Sequence, residues 1–340
     1  MPAETAAQER VWMAFPPTGG TLDDAPGGLR EARDAWVAVA HAVLAFEPVS
    51  MAVAPADVPA ARALLSGEVE LVEMPLDDAW MRDIGPTFVH AQDGSVAGVD
   101  WVFNGWGGQD WASWDHDQHV ARRVLEHAGL PVVSSTLVNE GGGVHVDGRG
   151  TVLVTRTVQL DPGRNATLTA ADVEAELRRT LGAERVVWFA RGLHRDSRRL
   201  GTRGHVDLLA AFASADLLLV HDQRDAGHPD HVVSRELRET LHREWSGQVV
   251  DLPAPQRLRD AEGPVDHSYV NHLVVDGGVI ACSFDDPNDA EAAAILADAY
   301  PGREVVAVDA RPLFARGGGI HCVTQQQPRP RGGSGPGATT

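Results

Sequence analysis

The chain contains no lysine: all 29 of its basic residues are arginine. That absence excludes a phosphate-binding P-loop lysine, a Schiff-base lysine for pyridoxal phosphate and a lysine general base. No Gly-x-Gly-x-x-Gly opens a helix after a strand, so the common dinucleotide fold is excluded as well. Cysteine is scarce. Cys282 and Cys322 stand forty residues apart, too few for a disulfide framework and outside any Cys-x-x-Cys pattern, and both read as reduced thiols. No run approaches the roughly eighteen apolar residues of a membrane helix, and the N-terminus lacks signal-peptide character. The expectation is a cytoplasmic protein. Positive charge is also in deficit, with 48 acidic residues and a net charge of −19. This argues against nucleic acid and anionic membranes and favours cationic ligands, although a plain soluble surface would look the same. Chemistry is left to Cys, His, Asp and Glu.

With 340 residues, 43% hydrophobic and 23% charged, the chain can bury a substantial core, as two domains or as one large α/β or repeat domain. Glu9–Phe15 reads as a short strand stopped by Pro16 and Pro17. Periodic apolar residues predict helices over 29–46, 58–65, 115–127, 168–181, 234–245 and 289–300. Thr169 is a plausible N-cap and Gly182 a C-terminal stop. Strands are expected at 49–54, 69–74, 132–138, 186–189, 217–221, 279–282 and 305–309, with 151–155 as hairpin partner of 132–138. His116 and His119 lack a convincing third ligand, so no metal site is expected. Residues beyond Pro328 read as a disordered Pro/Gly/Arg tail.

Between these elements lie polar loops: Trp80-Met81-Arg82-Asp83, Asn104-Gly105-Trp106-Gly107-Gly108, Glu140-Gly141-Gly142-Gly143, Gly204-His205-Val206-Asp207, Tyr269-Val270-Asn271 and Gly317-Gly318-Gly319-Ile320-His321-Cys322. Asp83, Glu140, Asp207, Asn271 and Cys322 are spaced by 57, 67, 64 and 51 residues. A period near sixty suggests repeated modules that bring distant loops to one central cleft. If 203–207 is extended, Arg203, His205 and Asp207 share a side. A thiol, a histidine and several carboxylates suit covalent attack on a guanidinium. Carboxylates pair its planar edges, the thiolate adds to the central carbon, and the histidine serves as acid and then base. Cys322 could equally be a small buried apolar residue.

In order and spacing, these motifs resemble the agmatine deiminase family of the guanidine-modifying pentein superfamily, over nearly the whole chain. The resemblance implies a five-bladed α/β propeller of ββαβ modules forming one catalytic domain over 1–327, with no cofactor or metal and a homo-oligomeric state. It implies Cys322 as nucleophile, His205 as general acid/base, Asp83 and Asp207 as guanidinium clamps, Glu140 as a supporting acid, and Trp80 and Trp106 as pocket residues. The implied reaction is hydrolysis of agmatine, a small cationic guanidine, to N-carbamoylputrescine and ammonia. Alternatives are a deiminase of arginine or another guanidino acid, and an inactive protein that only binds a cation. One departure stands out: the family's acid-rich run before Gly-His-Val-Asp is replaced by Arg198-Arg199-Leu200-Gly201-Thr202-Arg203. An extended backbone would turn Arg203 towards the pocket, against agmatine's second positive charge and in favour of a carboxylate. Cys282, set in a strand, is expected to be structural.

Overall fold

Among the described residues five small sheets carry the polar loops; four are built from consecutive chain segments, and the first also takes in the last strand. The computed structural model describes residues 1–23, 27–257, 259–261 and 263–332. In the first module β1 (Gln8–Ala14) crosses through the helix Gly28–Leu44 to the parallel β2 (Val49–Val53), beside which lies the parallel β3 (Glu70–Glu73). The second contains the hairpin β4 (Thr87–His90) and β5 (Val96–Val102), the helix Val120–Ala128 and the parallel β6 (Val132–Val138). The third repeats this with β7 (His145–Val146), β8 (Thr151–Thr155), the helix Ala170–Leu181 and β9 (Arg185–Phe189). The fourth has β10 (Ala210–Ser214), β11 (Leu217–Asp222), the helix Asp230–Glu244 and β12 (Gln248–Pro253). A two-stranded ribbon, β13 (Arg259–Asp260) and β14 (Gly263–Pro264), precedes the fifth module. That module holds β15 (Leu273–Val275), β16 (Gly278–Ser283), the helix Asp289–Ala299 and β17 (Glu304–Asp309). Finally β18 (Thr324–Pro328) returns to pair antiparallel with β1, tying the end of the chain to its first sheet.

Local chemistry accounts for the modules. Each crossover between parallel strands needs a helix whose apolar stripe covers the sheet. In Gly28–Leu44 that stripe is Ala32, Ala35, Trp36, Val39, Ala40 and Val43, all buried. Thr169 and Asp172 form a reciprocal capping box at the start of Ala170–Leu181, and Gly182 closes it at φ 72°. Asp83, Glu140, Asp207 and Asn271 stand just ahead of the strands that open the second to fifth modules, and Cys322 just ahead of β18, the edge strand of the first sheet. The spacing near sixty is therefore one polar loop per module, delivered at equivalent sheet ends. Among the described residues, no helix is long and apolar enough to cross a membrane.

Three expectations need correction. Thr151–Thr155 does not pair with Val132–Val138; it joins β7 antiparallel and β9 parallel, while β6 lies parallel to β5. The path through 203–207 is not extended throughout, because Arg203 has a φ of 71° and Val206–Leu208 is a turn of 3₁₀ helix. The tail does not start at 328: Pro328 belongs to β18, and the amides of Arg329 and Arg331 donate to the carbonyls of Ala7 (2.9 Å) and Gly94 (2.8 Å). Residues 333–340 of the expected tail lie outside the described residues.

Candidate active site

Gly142 marks the centre. A methyl group on its Cα would stand 2.5 Å from His205 Nδ1, 3.0 Å from Asp83 Oδ1 and 3.1 Å from Asp207 Oδ2. Loops from three modules thus converge on one α-carbon, and only glycine leaves room for them. Its amide donates to Asp83 Oδ1 (3.1 Å), while Trp106 Nε1 donates to Asp83 Oδ2 (2.8 Å). Trp106, at φ 54°, is itself stacked on Trp111 with ring centroids 5.2 Å apart. It holds Asp83 in orientation.

The thiol enters from the loop ahead of β18. Cys322 Sγ lies 3.5 Å from Asp207 Oδ2 and accepts from Asn271 Nδ2 at 3.2 Å. The Asn271 side-chain oxygen Oδ1 accepts from the amides of His321 (3.1 Å) and Cys322 (3.4 Å). A methyl group on Gly318 would fall 2.8 Å from the Trp80 ring and 2.9 Å from Sγ, so the glycine run is needed for close packing. Trp80 forms the wall beside the thiol and meets Trp36 edge-on.

His205 Nε2 contacts Glu140 Oε2 at 3.2 Å, and its Nδ1 lies 3.7 Å from Asp83 Oδ1. Behind it Arg164, fully buried, donates to both Glu140 oxygens (2.9 and 3.1 Å), to Asp161 (3.0 Å) and to the Thr202 carbonyl (2.8 Å). A buried guanidinium with all three nitrogens bonded to acceptors is the arrangement that holds a carboxylate rigid.

These contacts set the charges. Burial opposes a charge on His205, but Asp83, Glu140 and Asp207 outweigh it and push its pKa up to about 9. Burial, opposed by His205 but reinforced by the charges of Glu140 and Asp207, raises Asp83 to about 6. Asp207 is held below the usual carboxylate range: burial works against it, and the hydrogen bond and charge of His321 prevail. Glu140 is lowered too, since Arg164 overcomes its burial. Burial and then the charges of Asp207 and Asp83 push the Cys322 thiol well above its ordinary value. Two buried polar atoms here, Asp207 Oδ1 and His205 Nδ1, have no hydrogen-bond partner among the described residues.

The structure thus brings Cys322, His205, Asp83, Asp207, Glu140, Trp80 and Trp106 together. Arg203 is the exception. Its φ of 71° breaks the extended path, and its guanidinium is held by both oxygens of Asp161, each at 2.9 Å. Asp196 imposes this course by accepting from the amide (2.6 Å) and hydroxyl of Thr202 and from the amide of His205 (3.2 Å). A methyl group on Gly201 would meet the Asp196 carbonyl at 2.0 Å, which excludes any acid at that position. Cys282 is buried in β16 and donates to the Asn271 carbonyl (3.2 Å), with its thiol pushed up to about 12, chiefly by burial. Sequence reasoning missed the roles of Asn271, His321, Arg164 and Asp161. Asn271 and His321 were within reach, as members of a recurrent polar loop and as the neighbour of the thiol.

A buried thiol beside two carboxylates and an imidazole defines a site for nucleophilic attack on a small cation. The sequence profile of the Porphyromonas-type peptidyl-arginine deiminases matches residues 1–328. A Streptomyces coelicolor protein provisionally named agmatine deiminase is 53% identical, over 97% of this chain and 98% of its own. The agmatine deiminase of Ectopseudomonas mendocina is 39% identical, over 98% of this chain and 96% of its own. The solved structure of the Enterococcus faecalis agmatine deiminase superposes with a TM-score of 0.89 at 31% identity, covering 97% of this chain and 95% of that one. The chain belongs to the Porphyromonas-type peptidyl-arginine deiminase family.

Proposed function

We propose that the protein is an agmatine deiminase, hydrolysing agmatine to N-carbamoylputrescine and ammonia through a covalent adduct on Cys322. The observation that carries this reading is the meeting of Asp83, Asp207 and His205 around Gly142, with the thiol 3.5 Å from Asp207. Its relatives' names support the choice of substrate. Asp83 and the unpartnered Oδ1 of Asp207 pair with the guanidinium edges and hold its carbon within reach of the sulfur. In the free protein both the thiol and His205 hold protons, so attack requires the pair to lose one. A bound guanidinium favours that loss, because its charge offsets the carboxylates that keep both groups protonated.

The thiolate adds to the central carbon to give a neutral tetrahedral species. The His205 imidazolium protonates the departing nitrogen, ammonia leaves, and an S-amidino cation remains on Cys322. Neutral His205 then takes a proton from water as the oxygen adds to that cation. Collapse expels the Cys322 thiolate and forms the urea group, and the hydroxyl proton leaves with ammonia as ammonium.

Among possible tails, agmatine's ammonium is compatible with this site because Asp161 neutralises Arg203. That removes the support for a guanidino-acid substrate that an extended 203–207 would have supplied. A cytoplasmic location is part of the same reading, since both cysteines are free and a reducing compartment keeps them so. Ammonia release should be measured with agmatine, arginine and other guanidines. Turnover highest on agmatine is expected; turnover on arginine alone would move the protein to the guanidino acids, and none on any guanidine would mark a binding protein.

A further inference from the structure

On the side of Asp207 away from its unpartnered oxygen lies a second buried chain of charges. His321 places Nδ1 2.8 Å from Asp207 Oδ2, and its Nε2 stands 2.9 and 3.1 Å from the two oxygens of Glu4. Glu4 belongs to the segment ahead of β1 and meets His321 across 317 residues of sequence. Both side chains are almost wholly buried, at 5% and 2% exposure. The segment is anchored by Gln8, whose side chain donates to the carbonyls of Glu4 (2.8 Å) and Val274 (2.9 Å).

A neutral imidazole carries one N–H, so it can donate to only one of two flanking carboxylates; at the other nitrogen a lone pair would face a carboxylate. With both carboxylates ionised, both contacts are satisfied only by imidazolium. Its surroundings agree. Arg82 Nη1 lies 3.3 Å from Glu4 and its Nε donates to the His321 carbonyl (3.2 Å). His145, 3.8 Å from Glu4, uses Nδ1 to accept from the Phe212 amide (3.3 Å) and so presents N–H to Glu4. His272 and Tyr300 bond to one another (2.8 Å), and burial keeps both histidines, His145 and His272, neutral, lowered to about 4. Burial and Arg82 oppose the charge on His321, but Glu4 and Asp207 prevail and raise it. On the pocket side, Cys322 and His205 complete the groups near Asp207.

Glu4, His145 and His321 offer ligand atoms within 4.8 Å of one another. The Arg82 guanidinium already occupies the Glu4 carboxylate, so a divalent ion there would face a cation. The geometry is that of a proton-held relay.

We infer that Glu4 and His321 are positioning residues for the reaction, holding Asp207 ionised and oriented so that one oxygen stays free for substrate. The inference rests on the deiminase reading for its kinetic arm. Without the Glu4 charge, His321 reverts to the neutral ring. It can still donate to Asp207, but the cation that keeps Asp207 ionised is gone.

The test is Glu4→Gln, which keeps the shape and an acceptor while removing the charge, with Glu4→Asp as the conservative variant. Expected are a fall in kcat/KM for agmatine of about tenfold or more and a rise in KM, with the climb of rate towards pH 9 left where His205 sets it. Glu4→Asp should recover part of each. In parallel, ¹⁵N NMR of the imidazole should find His321 doubly protonated at pH 7.5 in the parent protein and singly protonated in Glu4→Gln. A neutral His321 in the parent, a His321 still doubly protonated in Glu4→Gln, or a KM unchanged in Glu4→Gln overturns the proposal. If the parent protein does not turn over agmatine, the deiminase reading fails, while the NMR still decides whether Glu4 holds His321 charged.

Discussion

Replacing Gly142 by alanine adds a single methyl group, uncharged and on ordinary backbone, at the point where the site converges. That methyl would stand 2.5 Å from His205 Nδ1, where ordinary contact begins at 3.4 Å, with both Asp83 and Asp207 also closer than that limit. His205 must therefore retreat by roughly 1 Å, a misplacement of the size that costs on the order of 100-fold in rate. Retreat also strains the 3.2 Å contact to Glu140, which Arg164 holds in place. The overpacking should cost about 1–3 kcal/mol of stability, a few degrees in melting temperature for a chain of this size. Gly67→Ala is the control, since a methyl there meets nothing within 4 Å. Steady-state ammonia release from agmatine, with thermal melts on all three proteins, decides the matter. If Gly142→Ala keeps activity within threefold of the parent while folded, the convergence of Asp83, Asp207 and His205 is not the catalytic centre.

Three further outcomes follow from the same geometry. With His205 at about 9 and the thiol higher still, attack needs one proton fewer than the free pair holds, so kcat/KM should rise about tenfold per pH unit from neutrality up to about 9; a flat profile there contradicts the assigned charges. The kcat limb should lie lower, because bound guanidinium lowers both groups. Arg164→Met strands Glu140 in the interior and should cost about 3–5 kcal/mol in denaturant unfolding, and a loss below 1 kcal/mol would remove Arg164 as its support. Arg203→Ala breaks a half-exposed pair and should change stability by less than about 1 kcal/mol, leaving the agmatine-to-arginine preference unchanged; a shifted preference would put Arg203 back in the pocket.

Much of this was legible in the chain. Strands such as 49–53 and 217–222 are Val- and Leu-rich because helices cover their sheets, and the recurrence of Asp83, Glu140, Asp207, Asn271 and Cys322 reports one loop per module. What failed was backbone detail governed by distant or buried polar groups. The path through Arg203 depends on Asp196 gathering the amides of Thr202 and His205, which no periodicity encodes. The hairpin of β7 and β8 was missed because β7 is two residues long. Glu4 could not be found at all, since its partner lies 317 residues away and nothing in the local sequence distinguishes it from a surface acid.

The central claim is that Cys322 forms a covalent bond with the guanidine carbon. Rapid acid quenching during turnover of agmatine, followed by mass spectrometry of the peptide containing Cys322, tests it directly. The account predicts an amidino adduct on Cys322 that appears with substrate and is absent from Cys322→Ala, which should fold yet release no ammonia. Sustained ammonia release by Cys322→Ala would contradict it.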